Sequence, residues 1–534
     1  MSNPFSKKYQ QIFSNCRHIL GMESWDKVMA ALDKQFAPQL FPDTIASLKP
    51  IFFMPDYIDD LARLEWVWHQ TKTKNALPDE PPEKLVVNPT LTLIPVNWKN
   101  MANLVEAPMN GRVCAEPEAS KGHVIIWHHP ETKGFHIRDA TDIDLLALKI
   151  SVEQIDPLDA AVMGNIPVRA IQTTLKNAIK QGILLSPPSK IRRDVLPLPP
   201  FTNEMEPFKS TDMFTLQWHI TQACDLRCKH CYDRSDREPM PYDTALSILE
   251  DFYDFCSRMN VGGQVTFTGG NPLLYPPFSK IYGEASDRGF GVAILGNPTP
   301  KDQIEKLVEI VKPLFFQISL EGLEDHNDYI RGPGHFKRSI AFLDHLRQMG
   351  ISTMVMLTLT HDNLDQVLPL GELLTGHADF FTFNRLSTVG EGKRLMMPKK
   401  ERFIAFLKEY EEAAEQSPIL GLKDNLINIV RKENGHELFG GCTGYGCGAA
   451  FNFVSLLPDG EVHACRKFPS LIGNIRKNSL FEIYHSDLAK KYRMGSDACL
   501  NCDLNAACRG CLAITHSHGL NVFKDMDPFC FYQA

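Results

Sequence analysis

ITQACDLRCKHCYDRSD, residues 220–236, gathers three cysteines within eight positions, Cys224, Cys228 and Cys231, and supplies no fourth beside them. A closed zinc or iron–sulfur site takes four protein ligands, so the missing one is the informative feature. Two readings follow. In one, zinc is bound with His230 or a distant residue as the fourth ligand. In the other, a four-iron cubane on three thiolates keeps one iron open for a ligand that is not protein. The surroundings weigh toward the second. The triplet directly follows an apolar run, FTLQWHIT (214–221), and five more runs recur downstream: QVTFTG (264–269), GVAILG (291–296), LFFQISL (314–320), TMVMLTLT (353–360) and FFTFNRL (380–386). Helical patterns such as TALSILEDFYDFC and FKRSIAFLDHLRQMG lie between them. Six apolar strands alternating with helices predict an α/β fold, a parallel sheet curved into a partial (β/α)6 barrel. In such sheets the loops after the strand C-termini carry the chemistry, and the triplet occupies the first of them.

The chain has 534 residues, enough for about three to four domains. Hydrophobic residues make up 43% and charged residues 22%, the balance of a protein able to bury large cores. Net charge is −8 and no strongly basic segment appears, which argues against a nucleic-acid partner. No apolar run is long enough for a signal peptide or a membrane span, so a soluble, cytoplasmic protein is expected. Fourteen cysteines in a reducing compartment are poor candidates for disulfides. Cys16, Cys114 and Cys256 stand alone and read as small buried apolar residues. Eight more fall late, as C-x4-C-x17-C at Cys442, Cys447 and Cys465, C-x2-C-x5-C-x2-C at Cys499, Cys502, Cys508 and Cys511, and then Cys530. Two structural zinc sites of four thiolates are one reading of these eight. FVSLLPDGEVHAC forms a hairpin around Pro458, Asp459 and Gly460, which brings its ends together. His516 and His518 read as solvated loop residues.

The front half is organised differently. Residues 1–90 are a helical region, with WDKVMAALDKQF and YIDDLARLEWVWHQ at helix spacing, ending in the proline-rich LPDEPPEKLVVNPT. Trp66 and Trp68 read as core. Residues 91–190 hold a hairpin, HVIIWHHPETKGFHIRDAT (123–141), followed by helical stretches and a helix-ending glycine, Gly182, a pattern similar to a winged-helix module. A proline-rich linker at 191–211 leads to the barrel at 212–395, a helical connection at 396–441 and the cysteine-rich region at 442–534.

The triplet Cys224, Cys228 and Cys231 matches the C-x3-C-x2-C signature of the radical S-adenosylmethionine (SAM) superfamily, and the chain resembles that family over about residues 212–390. The resemblance implies a [4Fe–4S] cluster whose open iron is chelated by SAM, and an electron from the cluster that cleaves the sulfonium to release a 5′-deoxyadenosyl radical. TFTGGNP (266–272) resembles the family's Gly-Gly-Glu-Pro motif, which implies that Gly269, Gly270, Asn271 and Pro272 line the SAM pocket, with Asn271 in place of the usual glutamate. Two glycines let a backbone approach a ligand closely. QISLEGLEDHNDYIRGPGHF (317–336) resembles the fourth-strand segment, which implies that Ser319 and Glu321 approach the ribose and Arg331 the SAM carboxylate. Tyr232 matches the aromatic that packs near adenine. The late cysteines resemble the SPASM extension of peptide-modifying members. That resemblance implies two further [4Fe–4S] clusters, one on Cys442, Cys447, Cys465 and Cys511 and one on Cys499, Cys502, Cys508 and Cys530. Cys508 and Cys511 are separated by two residues where three is usual, and a local adjustment is expected.

Residues 91–190 resemble the peptide-recognition element of ribosomal-peptide maturases, which takes up a leader peptide as an added strand. The layout is also similar to maturases of selenobiotic-type peptides. Together the resemblances imply a radical SAM enzyme that modifies a ribosomal precursor peptide or protein and draws on a low-potential donor such as flavodoxin or ferredoxin. An anaerobic sulfatase-type (formylglycine) maturase shares the barrel and both extra clusters. A non-catalytic iron–sulfur scaffold or electron relay is the alternative of another class.

Overall fold

The computed structural model describes residues 4–32, 37–73, 77–78, 80–106, 116–193 and 203–533. Cys114 and residues 194–202, with the end of the proline-rich run, lie outside these residues. The chain divides into two compact units, Met1–Pro188 and Ser189–Ala534.

The first unit is built on β2 (Thr92–Lys99), β3 (Glu118–His128) and β4 (Phe135–Asp139), an antiparallel sheet in the order β2-β3-β4. A short strand β1 (Val86–Val87) pairs with β5 (Leu184–Leu185) beside it. Strand geometry alternates side chains between faces, and β3 is apolar on both. Val124 and Ile126 enter a core with Trp25, Phe41, Ile58 and Leu61, while Ile125 and Trp127 enter another with Leu148, Ile171 and Leu175. The continuous apolar run HVIIW therefore needs helices on both faces. The N-terminal helices supply one layer and the helices Asp142–Glu153 and Val168–Lys180 the other. The expected hairpin at 123–141 is β3–β4. The division expected at 90/91 does not separate two cores, because β1 belongs to the first segment and β5 to the second. Trp66 and Trp68 pack against the first core, and Cys16 is buried in it. Gly182 follows the helix Val168–Lys180 at φ +69, where a side-chain Cβ would meet Pro130 Cδ at 2.6 Å.

In the second unit, β6 (Met213–Thr221), β7 (Gly262–Gly269), β8 (Gly291–Leu295), β9 (Phe316–Ser319), β10 (Thr353–Leu359) and β11 (Phe380–Arg385) run parallel, each within two residues of the expected run. Phe214, Leu216, Trp218 and Ile220 of β6 pack with Phe252 and Phe255 of the helix Tyr242–Met259. Gln217 and His219 alternate to the opposite, lumen-facing side. The sheet does not stop at β6. Strand β12 (Phe453–Leu456) adds in parallel to it, and β13 (Glu461–His463) and β14 (Leu471–Asn474) continue antiparallel, giving nine strands in the order β11-β10-β9-β8-β7-β6-β12-β13-β14. The hairpin around Pro458–Gly460 thus covers an edge that would otherwise be an open template for pairing. Ser455 donates to Gln217 Oε1 at 2.8 Å across this junction.

The expected linker at 191–211 is partly core. Ile191 and Arg193 are fully buried, and Phe208 packs against Ala506 and Ala507. Cys256 is buried in the barrel core. No helix among the described residues is long and apolar enough to cross a membrane.

Candidate functional site

The loop after β6 carries the cysteine triplet, and two neighbouring loops hold it in place. Gly269 has φ +134, and a Cβ there would lie 2.1 Å from Thr221 O; a Cβ on Gly270 would lie 2.2 Å from Ala223 O. The freed space is used for backbone bonds, Gly270 N to Thr221 O at 2.9 Å and Asn271 N to Ala223 O at 2.7 Å. The glycine pair therefore lets the cysteine loop approach closely. Asn271 donates from Nδ2 to Asp225 Oδ1 at 3.1 Å, and its Oδ1 caps the short turn Pro272–Leu274 by accepting from Leu273 N. Asn297, after β8, also donates to Asp225 Oδ1 at 2.6 Å and lies 3.7 Å from Cys224 Sγ. Asp225 makes sense of Asn271: a glutamate there would face another carboxylate, whereas an amide donates to it.

The other flank is charged. Arg331 donates from Nε and Nη2 to Glu321 Oε1 at 2.9 and 2.6 Å, Thr358 N donates to Glu321 Oε2 at 2.8 Å, and His230 Nε2 sits 3.3 Å from Glu321 Oε1. Lys229 N bonds Ile330 O at 3.0 Å, so the helix Glu324–Arg331 braces the loop. Burial works to raise the Glu321 carboxyl, but His230, Arg331 and the Thr358 N–H outweigh it and hold it low. Burial pushes His230 down to about 4. Both Glu321 oxygens and two Arg331 nitrogens are thus engaged with each other and with the loop's support. Ser319 ends β9 on the same rim. Tyr232 faces the lumen residue His219, with ring centroids 6.3 Å apart, and Arg466, whose guanidinium lies 5.4 Å from the Tyr232 ring. Burial raises the Tyr232 hydroxyl to about 12. Arg466 follows Cys465 and pairs with Asp233, so this aromatic ties the triplet to the late cysteines.

Those late thiols fall into two groups. Cys499, Cys502, Cys508 and Cys530 line one cavity together with Arg509, Gly510 and Asp527. Cys447, Cys465 and Cys511 act on one another electrostatically, and Cys442 acts on Cys447. Burial first, and then neighbouring thiols, raise Cys465, Cys499 and Cys511 to about 12. All cysteines among the described residues are free. The shortened Cys508–Cys511 spacing has a local explanation: Arg509 (φ 62) and Gly510 (φ 59) are both left-handed, a tight turn that aims one thiol at each group. Backbone N–H groups point at sulfur, Leu226 N at Cys224 Sγ (3.5 Å) and Gly510 N at Cys508 Sγ (3.4 Å). Clustered thiols with N–H donors are a donor set that fits iron–sulfur clusters. Arg385, at the end of β11, binds Asp424 at 2.7 Å and Asp527 at 2.6 Å, and Asp527 accepts from Cys511 N at 2.9 Å. His516 and His518 lie at the end of the helix Leu512–Ser517, where His518 Nδ1 lies 3.0 Å from Ile514 O. Asp225, Asn297 and Arg385 escaped the sequence reading. Their one signal was position, in the cysteine loop or at strand C-termini.

Residues 218–374 match the radical SAM superfamily and residues 447–512 match an iron-sulfur cluster-binding domain, SPASM. The chain thus carries a radical SAM domain and a SPASM domain, which support binding of [4Fe–4S] clusters and SAM. It is similar to the AdoMet-dependent heme synthase of Methanosarcina barkeri, 25% identical over 60% of this chain and 96% of that one. The antilisterial bacteriocin subtilosin biosynthesis protein AlbA of Bacillus subtilis is 26% identical over 58% of this chain and 68% of its own. Among solved structures, SuiB of Streptococcus suis bound to precursor peptide SuiA superposes with a TM-score of 0.50 at 16% identity, covering 77% of this chain and 97% of that one. That share is larger than the second unit alone supplies, so the likeness of fold reaches into the first unit.

Arg331→Ala would leave Glu321, 2% exposed, without its cation, at a cost of about 3–5 kcal/mol. Asn271→Ala removes one neutral hydrogen bond, about 0.5–1.5 kcal/mol. Thermal denaturation and SAM titration should therefore rank Arg331→Ala well below Asn271→Ala. Equal and negligible changes in SAM affinity would place the cofactor pocket elsewhere.

Proposed function

We propose that the protein modifies a ribosomally made peptide or protein by radical chemistry, with three [4Fe–4S] clusters. Cys224, Cys228 and Cys231 would hold the cluster that binds SAM. Cys442, Cys447, Cys465 and Cys511, and Cys499, Cys502, Cys508 and Cys530, would hold the other two. The observation that carries this reading is the coexistence, in one compact unit, of a three-thiol loop after the first barrel strand and two four-thiol groups. When bound, the first cluster and SAM supply the hydrogen-abstracting radical. The chain's own residues do the positioning: Gly269, Gly270, Asn271 and Pro272 fix one side of the loop, and Glu321 and Arg331 the other. Tyr232 stands at the seam with the late cysteines, and these residues together with Ser319 on the rim would line the SAM pocket.

The peptide substrate is supported by the relatives, one a bacteriocin biosynthesis protein and one a structure that holds a precursor peptide. The 91–190 segment, with β2 and β4 at the edges of its sheet, offers main-chain groups for an added leader strand. A low-potential donor such as flavodoxin or ferredoxin would reduce the first cluster. Eleven cysteines kept as thiolate ligands suit a reducing cytoplasm.

Removing residues 1–188 tests the leader reading. The remaining unit should process a leader-bearing peptide with a raised KM and a less altered kcat, the sign of lost uniform binding. An unchanged KM would favour a maturase, such as the formylglycine type, that reads only the residues around its target.

A further inference from the structure

Buried charge around the late cysteines does not balance. Arg193 is fully buried, yet among the described residues its guanidinium donates only to main-chain carbonyls, Ala506 O at 2.9 Å and Cys447 O at 3.1 Å. Its Nε has no acceptor, and the Phe451 ring lies 4.3 Å away. Arg509, 3% exposed, donates to Asn505 O at 3.1 Å and Asn505 Oδ1 at 2.9 Å, and to the carbonyls of Arg493 and Met494. Among the described residues no carboxylate reaches ion-pair distance of either one. Arg385, buried in the same region, has two.

A guanidinium does not shed its proton in a protein, so it cannot escape burial by becoming neutral. A buried cation without an anion is strongly destabilising. Arg509 also holds a left-handed backbone at φ 62, a conformation that persists only where the surroundings impose it. Besides Tyr484 beside Arg193, the anion-forming groups that act on these two arginines are thiols: Cys447 on both, and Cys499 on Arg509. Arg509 sits in the turn between Cys508 and Cys511, one from each thiol group.

We propose that Arg193 and Arg509 are the buried counter-charges of the two auxiliary iron–sulfur sites and hold their reduction potentials up, Arg193 for the Cys442/Cys447/Cys465/Cys511 site and Arg509 for both. This rests on the reading that the eight late cysteines carry two clusters. Reduction adds one electron to a group that its thiolates already make anionic. A fixed cation at close range in a dry site lowers the cost of that electron. The two positioning residues touch no substrate and act only through the clusters.

The test is a redox titration, monitored by electron paramagnetic resonance, of the reconstituted full chain. Cys224, Cys228 and Cys231 are replaced by alanine so that only the auxiliary signals remain. Arg193→Gln should lower one midpoint, by about tenfold in the reduction equilibrium or about 59 mV for one electron, and leave the other in place. Arg509→Gln should lower both. Arg193→Lys and Arg509→Lys should restore most of each shift, since they keep the charge and lose the fork. Full iron content with unmoved midpoints in the glutamine variants would overturn the inference and leave the cluster reading intact. If a glutamine variant fails to load iron, the lysine variant decides. Restored loading at a near-native midpoint supports the charge role, and failure to load overturns it. Unsubstituted late cysteines that hold no iron at all would overturn the cluster reading and this inference with it.

Discussion

Replacing Cys224, Cys228 and Cys231 together with alanine is expected to remove about four of about twelve irons and to abolish cleavage of SAM. The loop's geometry argues for a loss confined to one site. It is fixed by backbone bonds to Thr221 and Ala223 and by the Arg331–Glu321 pair, none of which involves a thiol. The barrel core behind it is continuous and apolar. The variant should therefore fold, keep its late cysteines loaded and bind peptide. Iron analysis and chromatographic measurement of 5′-deoxyadenosine check it. Cleavage that survives the triple substitution would place the SAM-binding cluster on other ligands.

Cys502→Ala should divide the reaction in two. Cys502 lines the cavity of the second late group, and that group reaches the barrel through Asp527 and Arg385 at the end of β11. Loss of this site leaves the triplet loop and its support untouched, so 5′-deoxyadenosine should still form. Modified peptide should not accumulate, because the substrate radical would lack its oxidant or its binding surface. Cys447→Ala should behave the same way from the first group. Full product from a Cys502→Ala protein shown to lack that cluster would make the site structural and remove the electron path.

Much of this was legible in the sequence because it is local. The six parallel strands are short apolar runs, and each reads without its neighbours. The triplet, the glycine pair and the late cysteines carry their spacing with them. What stayed hidden depends on distant pairing. The joining of β12 to β6 matches Phe453 with Thr215, far apart in the chain, and turns a barrel and an appended domain into one sheet. Arg193 sat in a proline-rich stretch that reads as linker, and its acceptors, Cys447 O and Ala506 O, come from the far end of the chain. Composition cannot announce a buried arginine, since arginine is almost never buried unpaired. The division at 90/91 was drawn at prolines, whereas the decisive feature was HVIIW, whose two apolar faces call for two helical layers. The glycine pair was recognised by its pattern, but its partner, the backbone of the cysteine loop, is visible only in three dimensions. Asn271 stands out in one dimension only as a departure from the usual glutamate. In three it is the donor that matches Asp225.

Iron, zinc and acid-labile sulfide measured together on anaerobically purified, unsubstituted protein test the central claim most directly. Three cubanes on eleven cysteines require about twelve irons and as many labile sulfides per chain, with no stoichiometric zinc. About two zincs and no labile sulfide would contradict it, leaving the late cysteines as structural zinc sites.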